Sequence, residues 1–201
     1  MKHSTADGSM RTGVPVLAWC CAWFASAFIV GEAMALEFAA DRVVKKGKQV
    51  VTTHINAKDD RWRFEFTMPE EGASIVIVQA DQHRAWQILS QRRMYREIPI
   101  PPKYRLVTAA QVEGEVSREY VGDETLHGHL TGLYEVRVMR GPVRLVLYQW
   151  VTKAEGFPIK TVNTEEDWSE EYRHLKFVEQ SPWLFELPRR LDREGATPSD
   201  R

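Results

Sequence analysis

Between Arg61 and Met68 apolar and polar side chains alternate without a break. Trp62, Phe64, Phe66 and Met68 share one parity, and Arg61, Arg63, Glu65 and Thr67 share the other. Side chains of an extended chain point alternately to opposite faces, so this segment specifies a strand with one face against a core and one in water. Strand signals continue on both sides, at Glu37–Lys45, Gln49–Asn56, Ser74–Gln79, Ala85–Leu89 and Met94–Ile98. The breaks between them are Lys46-Gly47-Lys48, Lys58-Asp59-Asp60, Pro69 to Gly72, Ala80 to His83 and Gln91-Arg92-Arg93. Their Gly, Pro and Asp residues have the usual turn chemistry.

Pro99-Ile100-Pro101-Pro102 ends this meander, because proline cannot sit in a central strand. Leu106 to Glu119 is the best helix candidate, although Gly114 and the valines weaken it. A second set of strands is predicted at Leu133–Met139, Val143–Val151, Phe157–Asn163 and Trp168–Val178, with Arg140-Gly141-Pro142 as a hairpin signal. Phe185-Glu186-Leu187-Pro188 reads as a last short strand, and residues 191–201 as a disordered tail. Turns recurring about every ten residues point to an all-β architecture: a sandwich, a closed barrel or one strongly curved open sheet. No repeat or shift in composition marks a second domain in residues 36–190.

The N-terminus has a different character. Val14 to Gly31 carries no charge, follows Lys2 and Arg11, and precedes Ala33-Met34-Ala35. A basic start, an apolar middle and small residues at −3 and −1 form a signal-peptidase pattern, with residues 1–35 as signal peptide and cleavage before Leu36. The run is also at the lower length limit of a membrane span, so an uncleaved inner-membrane anchor is the alternative. Met10 is an alternative start to Met1. Leu17-Ala18-Trp19-Cys20 resembles a lipidation site, but the bulky Trp19 stands where a small residue is needed. Export places the working protein in the periplasm.

Cleavage would remove both cysteines, Cys20 and Cys21, leaving a domain held by burial and sheet hydrogen bonds alone. With 27 basic and 28 acidic residues the chain is close to neutral, which gives no reason to expect nucleic-acid binding. His127-Gly128-His129 offers two imidazoles, short of the three or four ligands of a zinc site. The acidic pairs Asp59-Asp60 and Glu70-Glu71 and the run Glu165-Glu166-Asp167 sit at predicted turns, and no nucleophile elbow, dinucleotide fingerprint or phosphate loop is present. The expectation is a non-enzyme with no catalytic residues, no metal and no cofactor.

Several segments, taken in order, resemble the LolA-like family of outer-membrane lipoprotein-sorting proteins, particularly its small exported members. They are the hairpin Phe38 to Asn56; Asp60-Arg61-Trp62-Arg63-Phe64-Glu65; and Ala85 to Leu89 leading to Met94-Tyr95-Arg96-Glu97-Ile98-Pro99. Tyr120 to Leu126 with Thr131 to Val136, Trp150-Val151 with Gly156-Phe157-Pro158-Ile159-Lys160, and Leu184-Phe185-Glu186-Leu187-Pro188 complete the series. The resemblance implies a mainly β (α+β) fold: a curved open antiparallel sheet or half-barrel, with one or two lid helices, whose concave apolar face binds acyl chains.

On that architecture Trp62, Phe64, Phe66, Met68, Trp86, Ile88, Val146, Tyr148 and Trp150 are expected to line the hydrophobic groove. The expected function is periplasmic binding or transport of a lipid or lipoprotein acyl chain. The alternative is a non-enzymatic interaction or sensor module that uses the same sheet to bind an envelope membrane protein. Arg92-Arg93 with Arg96, and Arg189-Arg190 with Arg193, are small basic clusters read mainly as solubility features.

Overall fold

The computed structural model describes residues 36–195, so the predicted leader and the last six residues of the tail lie outside the described residues. Twelve strands form a single sheet in the order β12-β6-β5-β4-β3-β2-β1-β11-β10-β9-β8-β7. The first six are β1 (Phe38–Lys46), β2 (Gln49–Lys58), β3 (Arg61–Glu70), β4 (Ala73–Gln79), β5 (Arg84–Leu89) and β6 (Met94–Ile98). The rest are β7 (Glu115–Leu126), β8 (His129–Arg140), β9 (Val143–Thr152), β10 (Pro158–Asn163), β11 (Trp168–Phe177) and β12 (Asp192–Arg193). All ladders are antiparallel except the two-residue pairing of β12 with β6. The sheet is open and curved. Among the described residues no helix is long and apolar enough to cross a membrane.

The chain lays down two meanders, β1 to β6 and β7 to β11, and β11 closes onto β1. This puts β6 near one edge and β7 at the other. Residues 99–114 therefore have to cross the sheet, and they do so over its inner face. Tyr104 is buried there, with ring centroids 5.7 Å from Phe64 and 6.2 Å from Phe66. The Trp62 indole N–H donates to the Tyr104 carbonyl at 2.7 Å. Further along, Val112 packs on Val136, Val138, Leu145 and Leu147. Gly114 turns the chain into β7 at φ +77°, so close to β8 that a Cβ would lie 2.4 Å from the Met139 carbonyl oxygen.

The predicted helix Leu106–Glu119 is absent, and with it the lid helices expected over the groove. Residues 106–114 are irregular and Glu115–Glu119 open β7. The Arg118 side chain shows why. It bonds Glu115 at 2.8 Å, the Ala110 carbonyl at 2.7 Å and Gln149 at 2.9 Å, stitching linker to sheet in place of a helical turn. Among the described residues the only helical pieces are short 3-10 turns, including Pro102–Tyr104 and Pro182–Phe185.

The inner-face core gathers Phe38, Ile55, Phe64, Val76, Phe157 and Tyr172. Phe157 lies at the centre of an aromatic group, 4.9 Å from both Phe38 and Tyr172. A second core sits on the outer face of β4 and β5, where Ile77, Trp86 and Ile88 are covered by Phe185. The C-terminal segment carries Phe185 there as a strap. Asn56 donates to Gln180 at 3.0 Å, Gln79 donates to the Phe185 carbonyl at 2.9 Å, and Asp192 and Arg193 pair with Met94 and Tyr95. Phe185 thus belongs to a 3-10 turn rather than the predicted strand, and residues 191–195 are laid on the sheet edge instead of forming part of a disordered tail. Burial on both faces explains why β4 reads as a nearly unbroken apolar run.

Phe185→Ala is expected to cost about 3 to 5 kcal/mol, by opening a cavity beneath the strap. Trp183→Ala, at a residue 67% exposed, is expected to change stability by no more than about 0.5 kcal/mol. Urea unfolding of the two variants checks the pair.

Candidate functional site

Where β1 and β11 pair, Arg42 lies opposite Tyr172, Val44 opposite Glu170 and Lys46 opposite Trp168. These even-numbered residues share the inner face, and an open trough runs across them beneath the linker. On the β1–β3 side is a cleft of about 720 Å³, lined by Val44, Val50, Val51, Phe66 and Met68, with Tyr104 and Lys103 of the linker opposite. On the β8–β11 side is a second cleft of about 630 Å³, lined by Leu147, Gln149, Thr161, Trp168, Glu170 and Tyr172, with Val107 and Gln111 to Glu113 of the linker opposite. Both volumes fall in the range of small-molecule sites, about 300–1,000 Å³.

The boundary between the clefts is an ion pair. Arg42 Nε donates to Glu170 Oε1 at 2.8 Å and its Nη2 to Oε2 at 3.2 Å, a bidentate fork that fixes orientation as well as charge. The Tyr172 hydroxyl donates to the same Oε1 at 2.8 Å. Burial works against the Arg42 charge, but Glu170 outweighs it and the guanidinium pKa is raised. Burial also lifts the Tyr172 phenol well above its ordinary value, reinforced by the Glu170 charge and opposed by Arg42. The outer rim of the first cleft is tied by Lys103, which bonds Glu70 at 2.7 Å and Glu71 at 2.9 Å. The hydrogen bond from Lys103 leads the causes that hold Glu71 below the usual carboxylate pKa.

The nine residues expected in the groove are not brought together. Phe64, Phe66 and Met68 line the first cleft. Trp62 shares their face but is partly buried against the core under Tyr104. Trp86 and Ile88 pack on the opposite face, beneath Phe185. Val146 and Tyr148 alternate with Leu145, Leu147 and Gln149, which line the second cleft, and so point outward. Trp150 lines neither cleft and is partly buried against the core. The Trp150 N–H donates to Glu124 at 2.6 Å, and Lys160 Nζ lies 4.9 Å from its ring centroid. Alternation correctly separates the two faces of a strand. It does not say which parity of one strand joins which parity of another, and that is where the expectation fails.

Sequence reasoning passed over Arg42, Val44, Val51, Glu170 and Tyr172. The signal for two of them was available. In the predicted strand Trp168–Val178, Glu170 sits between Trp168 and Tyr172 on one parity, a carboxylate flanked by aromatics on a face meant for burial. The histidines serve other ends. His54 and His174 each contact Asp41 at 2.8 Å, His127 contacts Glu171 at 2.9 Å, and His129 meets the Leu175 carbonyl at 3.2 Å. Among the described residues no group of three or more His, Cys, Asp or Glu is arranged to hold a metal.

No family model matches this sequence, and no curated protein matches it. Solved structures do. MucB matches at a TM-score of 0.54 and 14% identity, over 78% of this chain and 59% of that one. The complex of Pseudomonas aeruginosa MucA and MucB matches at 0.50 and 14%, over 78% and 57%. This chain therefore spans a little over half the length of the MucB chains it resembles. A provisional outer-membrane lipoprotein-sorting protein domain from Vibrio parahaemolyticus is matched at 12% identity over 75% of this chain and 89% of that one, with a TM-score of 0.35 that supports no further inference. At these identities the likeness is one of fold. The curved open antiparallel sheet expected from the sequence is present, with very few helices among the described residues, and it is this sheet that the likeness to MucB concerns.

Tyr172 makes stability pH-dependent at the alkaline end. Its folded pKa is raised well above the ordinary value of 10.0, so the folded protein holds the proton more tightly than the unfolded chain does. The contribution is intact below about pH 10 and is lost as pH rises toward the folded value. Urea unfolding between pH 8 and 11.5 should show this loss in the native protein and a shallower one in Tyr172→Phe.

Proposed function

We propose that this chain is an exported periplasmic binding protein, not an enzyme, and that its inner-face trough takes up an acyl chain of a lipid or lipoprotein. The observation that carries this reading is the first cleft. Val50, Val51 and Met68 line it at 60%, 56% and 81% exposure, beside buried Phe64. Apolar side chains this exposed, gathered in a concavity, are characteristic of a surface that another apolar group covers. An acyl chain entering such a cleft from water gains about 0.8 kcal/mol for each methylene buried. Of the nine residues first considered, Phe64, Phe66 and Met68 remain candidates for direct contact, with Val44 and Val51 added. Periplasmic location rests on the leader pattern of residues 1–35 and agrees with the fold shared with MucB.

A second reading has its own support. The solved MucB structures include one in complex with MucA(peri). The match covers 56% of that MucB chain, and here the free edge strand β7 exposes Val116, Tyr120 and Val121, apolar groups open to a protein partner. On that reading the chain is an interaction module for an envelope membrane protein.

Native mass spectrometry of the protein purified gently from its own periplasm separates the two readings. The expected result is an adduct with the mass of a lipid or fatty acid, lost in the double variant Val51→Glu/Met68→Glu. Both positions are exposed, so the variant should keep its unfolding midpoint. A lipid-free mass with a co-purifying protein would overturn the acyl-chain reading in favour of the interaction module.

A further inference from the structure

The second cleft differs in chemistry from the first, and its mouth carries charges of both signs. Lys46 and Arg140 stand on the hairpin ends of β1 and β8, Glu166 on the β10–β11 turn and Glu113 on the linker, and all four line the cleft. All are exposed, and none makes an ion pair among the described residues. This sets them apart from their neighbours, since Lys45 is bound to Asp167 and Lys103 to Glu70 and Glu71. Deeper in, Gln149 is buried and held between Arg118 and Thr161, and Trp168 presents a half-buried ring. Two uncommitted cations and two uncommitted carboxylates around one opening match a group that itself carries one charge of each sign.

The first cleft meets the second along the β1–β11 ladder, where Val44 of one is the cross-strand partner of Glu170 of the other. A molecule lying across that boundary would place its apolar part against Val44, Val51 and Met68 and its polar part between Trp168 and the charged mouth. The fixed Arg42–Glu170 fork satisfies its own charges, so it partitions the trough without demanding charge from the ligand.

We propose that the second cleft is a headgroup site for a zwitterionic phospholipid. Its phosphate faces Lys46 and its ammonium faces Glu166, the two opposite charges that the β1–β11 end brings side by side, while Arg140 and Glu113 form the far rim. The proposal rests on the acyl-chain reading of the first cleft and names the class of lipid that this trough selects. Charge complementarity at the mouth is the ground for choosing a zwitterion: an anionic headgroup would meet the two carboxylates unpaired, and a fatty acid would leave the cleft largely empty.

The test uses the full exported chain, stripped of lipid and incubated with vesicles holding equal amounts of phosphatidylethanolamine, phosphatidylglycerol and oleate, with adducts read by native mass spectrometry. Phosphatidylethanolamine should exceed each of the others by about tenfold, the ratio set by one well-placed charge contact. The double variant Glu113→Lys/Glu166→Lys should shift the preference to phosphatidylglycerol. Lys46→Glu/Arg140→Glu should lose the preference while still taking up oleate. Equal uptake of all three lipids, or a preference unmoved by the charge variants, would overturn the headgroup site and leave the acyl-chain reading standing. Failure to take up any of the three would overturn both.

Discussion

An open sheet whose two meanders end at opposite edges can be connected only by a segment that crosses one of its faces. That constraint shapes everything on the inner face of this protein. The crossing segment, residues 99–114, is pinned near one end by Tyr104, whose carbonyl takes the Trp62 N–H and whose ring packs beside Phe64 and Phe66. It is pinned at the other by Gly114 against Met139 and by the Arg118 side chain, which reaches back to Ala110. Between these anchors the segment covers part of the apolar face and leaves the trough beside β1, β2 and β11 open. A longer linker could have folded into a helical lid. This one is used up in reaching from edge to edge.

Most of the strands were legible because each is a local matter. Period-two alternation over Arg61–Met68 and turn chemistry at Gly47, Asp59 and Gly141 need no knowledge of what the strand packs against. The failures fall where a distant contact decides. Leu106–Glu119 has enough helix formers to suggest a helix. Yet Gly114 takes φ +77° against a backbone 25 residues on, and Glu115 and Arg118 spend their charge on each other and on Gln149. Likewise Phe185 packs across the outer face of β4 and β5, and nothing near it in sequence announces that partner. Tertiary contact overrides local propensity in both cases.

The candidate site was half legible for a related reason. An apolar parity can be read within one strand, but the pairing of parities between strands depends on register, and a shift of one residue exchanges the faces. The parity of Phe64, Phe66 and Met68 leads to the trough, whereas the equally apolar Trp86 and Ile88 lead to the strap. Tryptophan content was misleading, since Trp62 is tied up beneath the linker and Trp150 is engaged by Glu124 and Lys160 away from the trough. The residues that give the trough its character, Arg42, Glu170 and Tyr172, are polar. A search for the most apolar face passes over them.

That polar division matters because of how acyl chains partition. Leaving water, a chain gains about 0.8 kcal/mol for each methylene buried, but leaving a bilayer it exchanges one apolar surrounding for another. On the proposed reading the first cleft would therefore contribute little net free energy to extraction from a membrane, and little discrimination among lipids that share the same tails. Selectivity has to come from groups that differ between the lipids and that the protein meets in fixed positions. The β1–β11 ladder supplies such positions, because hydrogen-bonded strands hold Trp168, Glu170 and Tyr172 in register with Lys46, Val44 and Arg42. On the proposed reading, a trough with an apolar side indifferent to lipid identity and a polar side that is not would separate uptake from choice.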